Sequence, residues 1–285
     1  MIKPIKYFIE AIFVYFFFLI AKIIGLTLSR KFFSFLFKKV GPIIRANNTI
    51  NKNLMRLPNS FTEQEKNKII NNMWSNYGMT FIEYIFLKNF RNSKLHIDIK
   101  GEKILKQISL SGRPVIFVSG HFANFELMSM EITKKKINLA TIYRPLNNFF
   151  LNPFMEHVRK KYICKNQIKK GLTGVRESIK YINKNHSIAL MIDQRVSEGK
   201  KIKFFNKDAL TTTLPAQLAL RYNLKVVPIF IERKNMSSFA MTIYEPFKSS
   251  NFKNKEQLSQ KLSQVLEGMI LKNPNQWIWT HDRWK

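Results

Sequence analysis

An apolar, aromatic-rich stretch opens the chain and restricts every architecture that can follow it. Residues 7–28 read YFIEAIFVYFFFLIAKIIGLTL, about the length needed to cross a hydrocarbon core of ~30 Å. The unbroken apolar run is shorter, Ala11 to Ala21, because Glu10 and Lys22 interrupt it on either side. No small-x-small cleavage site follows, so the segment does not read as a removable leader. Lys3 and Lys6 precede it, whereas Arg30, Lys31, Lys38 and Lys39 follow. That asymmetry places the bulk of the chain on the cytoplasmic side of a membrane, towards which Lys22 can snorkel. The alternative is a helix lying in the interface and continuing through FFSFLF at 32–37. Residues 1–40 are therefore read as a membrane-anchoring helix, either single-pass or monotopic.

Charge narrows the partners. Lys and Arg number 48 against 18 acidic residues, a formal net charge of +30. Such an excess calls for a polyanionic partner, either nucleic acid or an anionic membrane surface. The 25 phenylalanines favour the membrane, and no nucleic acid is expected. The basic runs Lys134-Lys135-Lys136, Lys160-Lys161, Lys169-Lys170 and Lys200-Lys201 each read as a solvated helix face. Together, at ~1 kcal/mol per Lys or Arg near an anionic leaflet, they hold a domain against a membrane. The lone Cys164 excludes an internal disulfide framework and multi-cysteine metal sites. No metal or cofactor is expected.

Gly41-Pro42 is expected to end the first helical region, with a polar connector over 45–60. Thr62 and Glu65 form a capping box that opens a helix carrying Ile69, Ile70, Met73 and Trp74 at helical spacing. A second apolar helix is expected from about Met79 to Phe90, so 41–94 reads as a helical lead-in packed on the domain that follows. From Leu95 the texture changes. LHIDIK alternates as a strand, and PVIFVSG (114–120) is a continuous buried one. Further strands are predicted at 138–143, 187–193, 225–232 and 239–245. Helices are predicted near 124–135, 147–161, 172–185, 214–222 and 254–272. Alternating strands and helices make 95–285 an α/β domain with a mostly parallel central sheet flanked by helices.

Open α/β sheets bind ligands at the carboxyl ends of their strands. Gly120-His121-Phe122-Ala123-Asn124-Phe125-Glu126 leaves the buried 114–120 strand. With His121 in the loop and Glu126 in the first turn of the next helix, the two can meet. A carboxylate on one ring nitrogen then fixes the tautomer while the other nitrogen takes a proton from a hydroxyl. Arg144, just past the next strand, reads as a clamp for a phosphate or an oxyanion. Asn124 reads as a helix cap or a substrate contact. Asp193 and Gln194 end another buried strand and face the same cleft, where a structural hydrogen bond is equally in keeping with Asp193. His96, His157, His186 and His281 read as surface or packing residues, and Trp277, Trp279 and Trp284 as core or as an interfacial belt. No G-x-S-x-G, Walker loop or H-E-x-x-H occurs, which removes the main support for hydrolase, NTPase and zincin readings.

Four ordered blocks carry a family resemblance. SGHFANFE (119–126) resembles the H-x(4)-D/E block of the glycerolipid acyltransferase superfamily and, more closely, that of the bacterial lipid A biosynthesis (late) acyltransferases. YRPLNNFFLN (143–152), the region 189–230 and PNQWIWTHDRWK (274–285) resemble that family's later blocks. Asn206 stands where the family usually has Gly, and Asp282 where Arg is common. The resemblance implies a glycerolipid-acyltransferase-like fold and transfer of a fatty acyl chain from a thioester, normally on acyl-carrier protein, to a hydroxyl of an anionic lipid A precursor. His121 and Glu126 would be its catalytic pair, and Arg144, Asn124, Asp193 and Gln194 its substrate contacts. A different lipid acceptor, or a basic membrane-tethered protein without chemistry, are the alternatives.

Overall fold

A computed structural model describes residues 2–44, 47–58 and 61–285. Residues 45, 46, 59 and 60 of the expected connector lie outside them. The strands are β1 (Ile97–Lys100), β2 (Ile116–Ser119), β3 (Leu139–Tyr143), β4 (Asn166–Lys169), β5 (Ser187–Met191), β6 (Lys200–Phe204), β7 (Lys207–Thr211), β8 (Lys225–Arg233), β9 (Phe239–Ile243) and β10 (Phe247–Lys248). The helices are α1 (Ile2–Ile44), α2 (Asn47–Leu54), α3 (Glu63–Glu83), α4 (Leu87–Asn92), α5 (Glu102–Ser111), α6 (Glu126–Lys134), α7 (Asn152–Val158), α8 (Leu172–Ile182), α9 (Leu214–Arg221) and α10 (Lys255–Lys272).

The main sheet runs β1-β9-β8-β2-β5-β3-β4, with β10 against β8. All its neighbours are parallel except β8/β9 and β8/β10. The central strands are apolar throughout because helices cover both faces. One core includes Ile116, Val118, Phe122, Ile188, Leu190, Leu262 and Leu266. The other includes Phe117, Leu127, Met130, Ala189, Val227 and Ile229. Inward residues alternate between the two along β2, which is the period-two signature of a strand buried on both sides.

Every strand expected from the sequence is present, but β4, the β6/β7 hairpin and the two-residue β10 were not anticipated. β4 is a short polar edge strand, NQIK, with a single buried residue. The hairpin turns through Phe205 and Asn206, both left-handed, at φ 48° and 58°. Two consecutive positive φ angles are the signature of the type I′ turn, in which Asn substitutes well for Gly. That accounts for Asn206 at a position where the resembling family usually has Gly.

Three helical expectations need correction. Gly41-Pro42 does not end the first helix, which continues to Ile44; Gly41 instead gives the Trp74 ring room to pack, since a Cβ there would lie 2.2 Å from it. The connector contains α2. The stretch from Met79 to Phe90 is not a separate helix, because α3 runs on to Glu83 and passes through a 3₁₀ turn into α4. The capping box is as expected: Thr62 Oγ1 accepts from Glu65 N, and the Glu65 carboxylate accepts from Thr62 N.

α1 breaks at Gly25, with φ 80° and ψ 169°, a region essentially restricted to glycine. Ser29 Oγ donates to Gly25 O at 2.7 Å and lies 3.1 Å from Ala21 O, so it serves carbonyls that the break releases. Beyond the break, the second half packs on α3. Arg30 Nε donates to Glu83 Oε1 at 2.6 Å, and Arg233 holds both oxygens of the same carboxylate, at 2.6 and 2.9 Å. Asn124 Nδ2 donates to Glu83 Oε2 at 2.8 Å. One buried carboxylate therefore ties the N-terminal helix, the β8 end and the His121 loop together. Removing such a charge and leaving its partners buried costs about 3–5 kcal/mol.

The half of α1 before Gly25 lies along the 148–154 segment. Tyr15 donates to Phe150 O, Asn148 Nδ2 to Tyr7 O, and Phe18 packs on Phe81 and Phe154. Its outer face exposes Phe8, Ile12, Phe13, Phe16, Leu19 and Ile23. The helix is long and apolar enough to cross a membrane, and its bare face suits a lipid surface.

Candidate active site

β2 and β5 are adjacent and parallel, with Ser119 opposite Met191. Two residues beyond each partner stand His121 and Asp193, so the register delivers them to the same level above the sheet. The link is double. His121 Nδ1 lies 2.7 Å from Asp193 Oδ1, and the His121 backbone N–H donates to Asp193 Oδ2 at 2.8 Å. Trp277 Nε1 donates to the same Oδ2 at 2.9 Å. Asp193 is buried. Burial alone would raise its pKa, but the His121 ring, the His121 hydrogen bonds and Trp277 hold it down at about 2. A carboxylate fixed in this way requires the proton on Nδ1 and leaves Nε2 as the free acceptor.

The His121 loop is held from three sides. Thr80 Oγ1 donates to Ala123 O, Ala123 N to Gln276 O, and Phe122 bridges to Trp277. These ties keep Ala123 at φ 44°, outside the range that a non-glycine residue prefers.

Glu126 is where the sequence predicted it, in the first turn of α6, but it does not orient His121. Its Oε1 accepts from Arg159 Nε at 2.8 Å and Nη2 at 2.6 Å, and from the Tyr84 hydroxyl. Arg159 begins a π-helical turn, Arg159–Ile163, and such bulges re-aim side chains at functional sites. Burial pushes the Tyr84 phenol up, with Arg159 opposing and Glu126 adding to it, so Tyr84 remains a donor. The physical reason for the exchange is distance along different paths. Glu126 faces Arg159 of the π-helical turn and Tyr84 of the 3₁₀ turn, whereas Asp193 arrives just past the neighbouring strand.

His121, Glu126, Arg159, Arg144 and Gln194 line one pocket of about 650 Å³, within the ordinary range of small-molecule sites, about 300–1,000 Å³. Val14 and Phe18 of α1 form part of its wall, together with Phe81, Met128, Phe154 and Leu214. Arg144 and Lys170 leave the adjacent strands β3 and β4 at matched positions, and Lys170 N donates to Tyr143 O. Neither cation has a carboxylate partner among the described residues.

Two of the expected substrate contacts lie outside the pocket lining. Asn124 is buried against Glu83 and does not line the pocket, and α6 has no side-chain cap from it. Asp193 also lies behind the pocket wall, as the partner of His121. Trp277 and Trp279 are buried core residues. Cys164 is buried, and burial pushes its thiol up to about 11, which denies it a nucleophile's role. Among the described residues, no cluster of His, Cys, Asp or Glu could hold a metal ion.

The sequence family described as bacterial lipid A biosynthesis acyltransferase matches residues 2–285. The chain belongs to this family. It is an acyltransferase of lipid A biosynthesis. A lipid A biosynthesis palmitoleoyltransferase of Escherichia coli (strain K12) is 24% identical over 242 residues, covering 82% of this chain and 77% of that protein. A lipid A biosynthesis acyltransferase of Shigella flexneri matches to the same extent. Among solved structures, the 1-acyl-sn-glycerophosphate acyltransferase of Thermotoga maritima is similar over 89% of this chain and all of its own, with a TM-score of 0.43 at 13% identity.

Proposed function

We propose that this acyltransferase uses His121 as general base, oriented by Asp193, to move a fatty acyl chain from a thioester on acyl-carrier protein to a hydroxyl of an anionic lipid A precursor. The observation that carries the reading is the 2.7 Å contact between His121 Nδ1 and Asp193 Oδ1 beside an apolar pocket. His121 Nε2 takes the acceptor's proton as the hydroxyl oxygen attacks the thioester carbonyl. The tetrahedral intermediate collapses, the C–S bond breaks, and the departing thiolate takes the proton back from the imidazolium. No acyl-enzyme is needed. Glu126, paired with Arg159 and Tyr84, fixes the pocket beside the base. Arg144 and Gln194 at its polar edge contact the head group, and Lys170 adds a second cation there.

The +30 charge draws in both an acidic carrier and a phosphorylated lipid. The bare face of α1 and the basic surface support attachment to the inner membrane with the catalytic domain on the cytoplasmic side. Purified full-length protein, given acyl-carrier-protein and coenzyme A thioesters in parallel with a lipid A precursor, tests the reading. His121→Ala should lower turnover by ~10²–10⁴-fold with the fold intact. A folded variant working at the wild-type rate overturns it.

A further inference from the structure

His281 was expected to be a surface or packing residue, yet it lines the same pocket as His121. Its position is built from several directions. Asn53 Nδ2 donates to the carbonyls of both Trp279 and His281, each at 2.8 Å, and Trp279 Nε1 donates to Pro274 O. The ring itself is fixed by Arg195, whose backbone N–H donates to His281 Nε2 at 3.0 Å. A backbone amide can only donate, so Nε2 is the bare acceptor nitrogen and the neutral ring carries its proton on Nδ1. Among the described residues, none hydrogen-bonds to Nδ1. The pocket therefore contains one imidazole prepared to accept a proton and another prepared to donate a hydrogen bond.

We infer that His281 Nδ1–H is a hydrogen-bond donor to the thioester carbonyl oxygen, stabilising the oxyanion that forms when the acceptor hydroxyl attacks. The inference rests on the acyl-transfer reading with His121 as base. Its chemistry follows from charge. Burial lowers the pKa of His281, with Arg283 and His121 acting in the same direction and Asp193 and Asp282 opposing, so the ring is neutral while His121 cycles. A cationic donor beside the base would oppose formation of the His121 imidazolium. A neutral one aids the oxyanion without that conflict. No proton moves to or from His281: it donates a hydrogen bond that strengthens as negative charge develops on oxygen.

Two isosteric substitutions separate this role from a purely structural one. Asn places its amide N–H₂ near the position of Nδ1 and loses the acceptor for Arg195. Gln places its amide oxygen near Nε2, keeps that acceptor and loses the donor. In full-length purified enzyme, His281→Ala should lower kcat by about 10²-fold with KM for both substrates within about threefold, the pattern of an interaction made only in the transition state. His281→Asn should recover roughly tenfold of that loss, and His281→Gln should recover none. Recovery by Gln and not by Asn overturns the inference and leaves His281 as a support for the Arg195 loop. An unchanged kcat in folded His281→Ala or His281→Gln also overturns it. His121→Ala, assayed in parallel, distinguishes the failures: if it too retains full rate, the general-base reading itself has failed. Arg144→Ala tests the rival donor, and a kcat loss confined to that variant assigns the oxyanion contact to Arg144.

Discussion

Glu126 Oε1 lies 2.8 Å from Arg159 Nε, and the carboxylate is committed to that guanidinium and to Tyr84 rather than to His121. Two carboxylates thus flank one histidine with different tasks. Their conservative variants should separate cleanly. Asp193→Asn removes the charge that supports the imidazolium and permits the wrong tautomer, so kcat should fall by ~10²–10⁴-fold. Glu126→Gln keeps acceptor capacity for Arg159 and Tyr84, so its loss should be well under that and accompanied by a lower melting temperature. Steady-state kinetics with thermal melts of both proteins check this. Equal kcat losses at equal stability would return Glu126 to direct partnership with the base.

Acid stability supplies a second test. The folded-state pKa of Asp193 is about 2, against an ordinary value near 3.8. A depressed carboxylate contributes stability that is fully present above 3.8 and disappears as pH falls towards 2. The difference amounts to about 2 kcal/mol. Wild type should lose that increment between about pH 4 and 2, whereas Asp193→Asn should show a shallower decline over the same window. Chemical denaturation at stepped pH measures both slopes. Parallel slopes would remove Asp193 as the source.

Phe18 joins the anchor to the pocket. It is buried, contacts Phe81 and Phe154, and lines the cavity. Phe18→Ala should cost about 3–5 kcal/mol, as aromatic truncation in a core does. It should also enlarge the pocket and shift the preferred acyl donor towards longer chains. Competition among thioesters of graded length, read by mass spectrometry of the product, decides the matter, and an unchanged chain profile would exclude Phe18 from selectivity.

The turn at Asn206 predicts a small effect. Asn206→Gly relieves a residue at φ 58° but loosens the unfolded chain, so the two contributions offset and stability should change by less than about 1 kcal/mol. Asn206→Val, β-branched and forced into the same region, should cost more, ~1–3 kcal/mol. Denaturant midpoints for the pair check the ordering.

Much of this architecture was legible because it rests on periodicity. The apolar runs at β2, β5 and β8 identified a parallel sheet, and the loop after β2 directed attention to His121. Asp193 was visible as a strand-end residue, but its partnership was not, because the Ser119–Met191 register between strands 72 residues apart has no linear trace. Glu126 was favoured for its nearness along the chain. β4 escaped because a polar edge strand lacks the apolar alternation that marks the others. The meeting of Arg30, Glu83 and Arg233 has no local signal at all, since its members come from α1, α3 and β8.

The break at Gly25 has a consequence for how the enzyme senses its surroundings. One half of α1 turns an apolar face outward while Val14 and Phe18 line the pocket. The other half is bolted to the His121 loop through Glu83. Anchor and pocket wall are thus a single object jointed at Gly25. Any change in bilayer thickness or packing that tilts the outer half would alter the shape of the cavity, so turnover should depend on the lipid composition around the protein even at fixed substrate concentration.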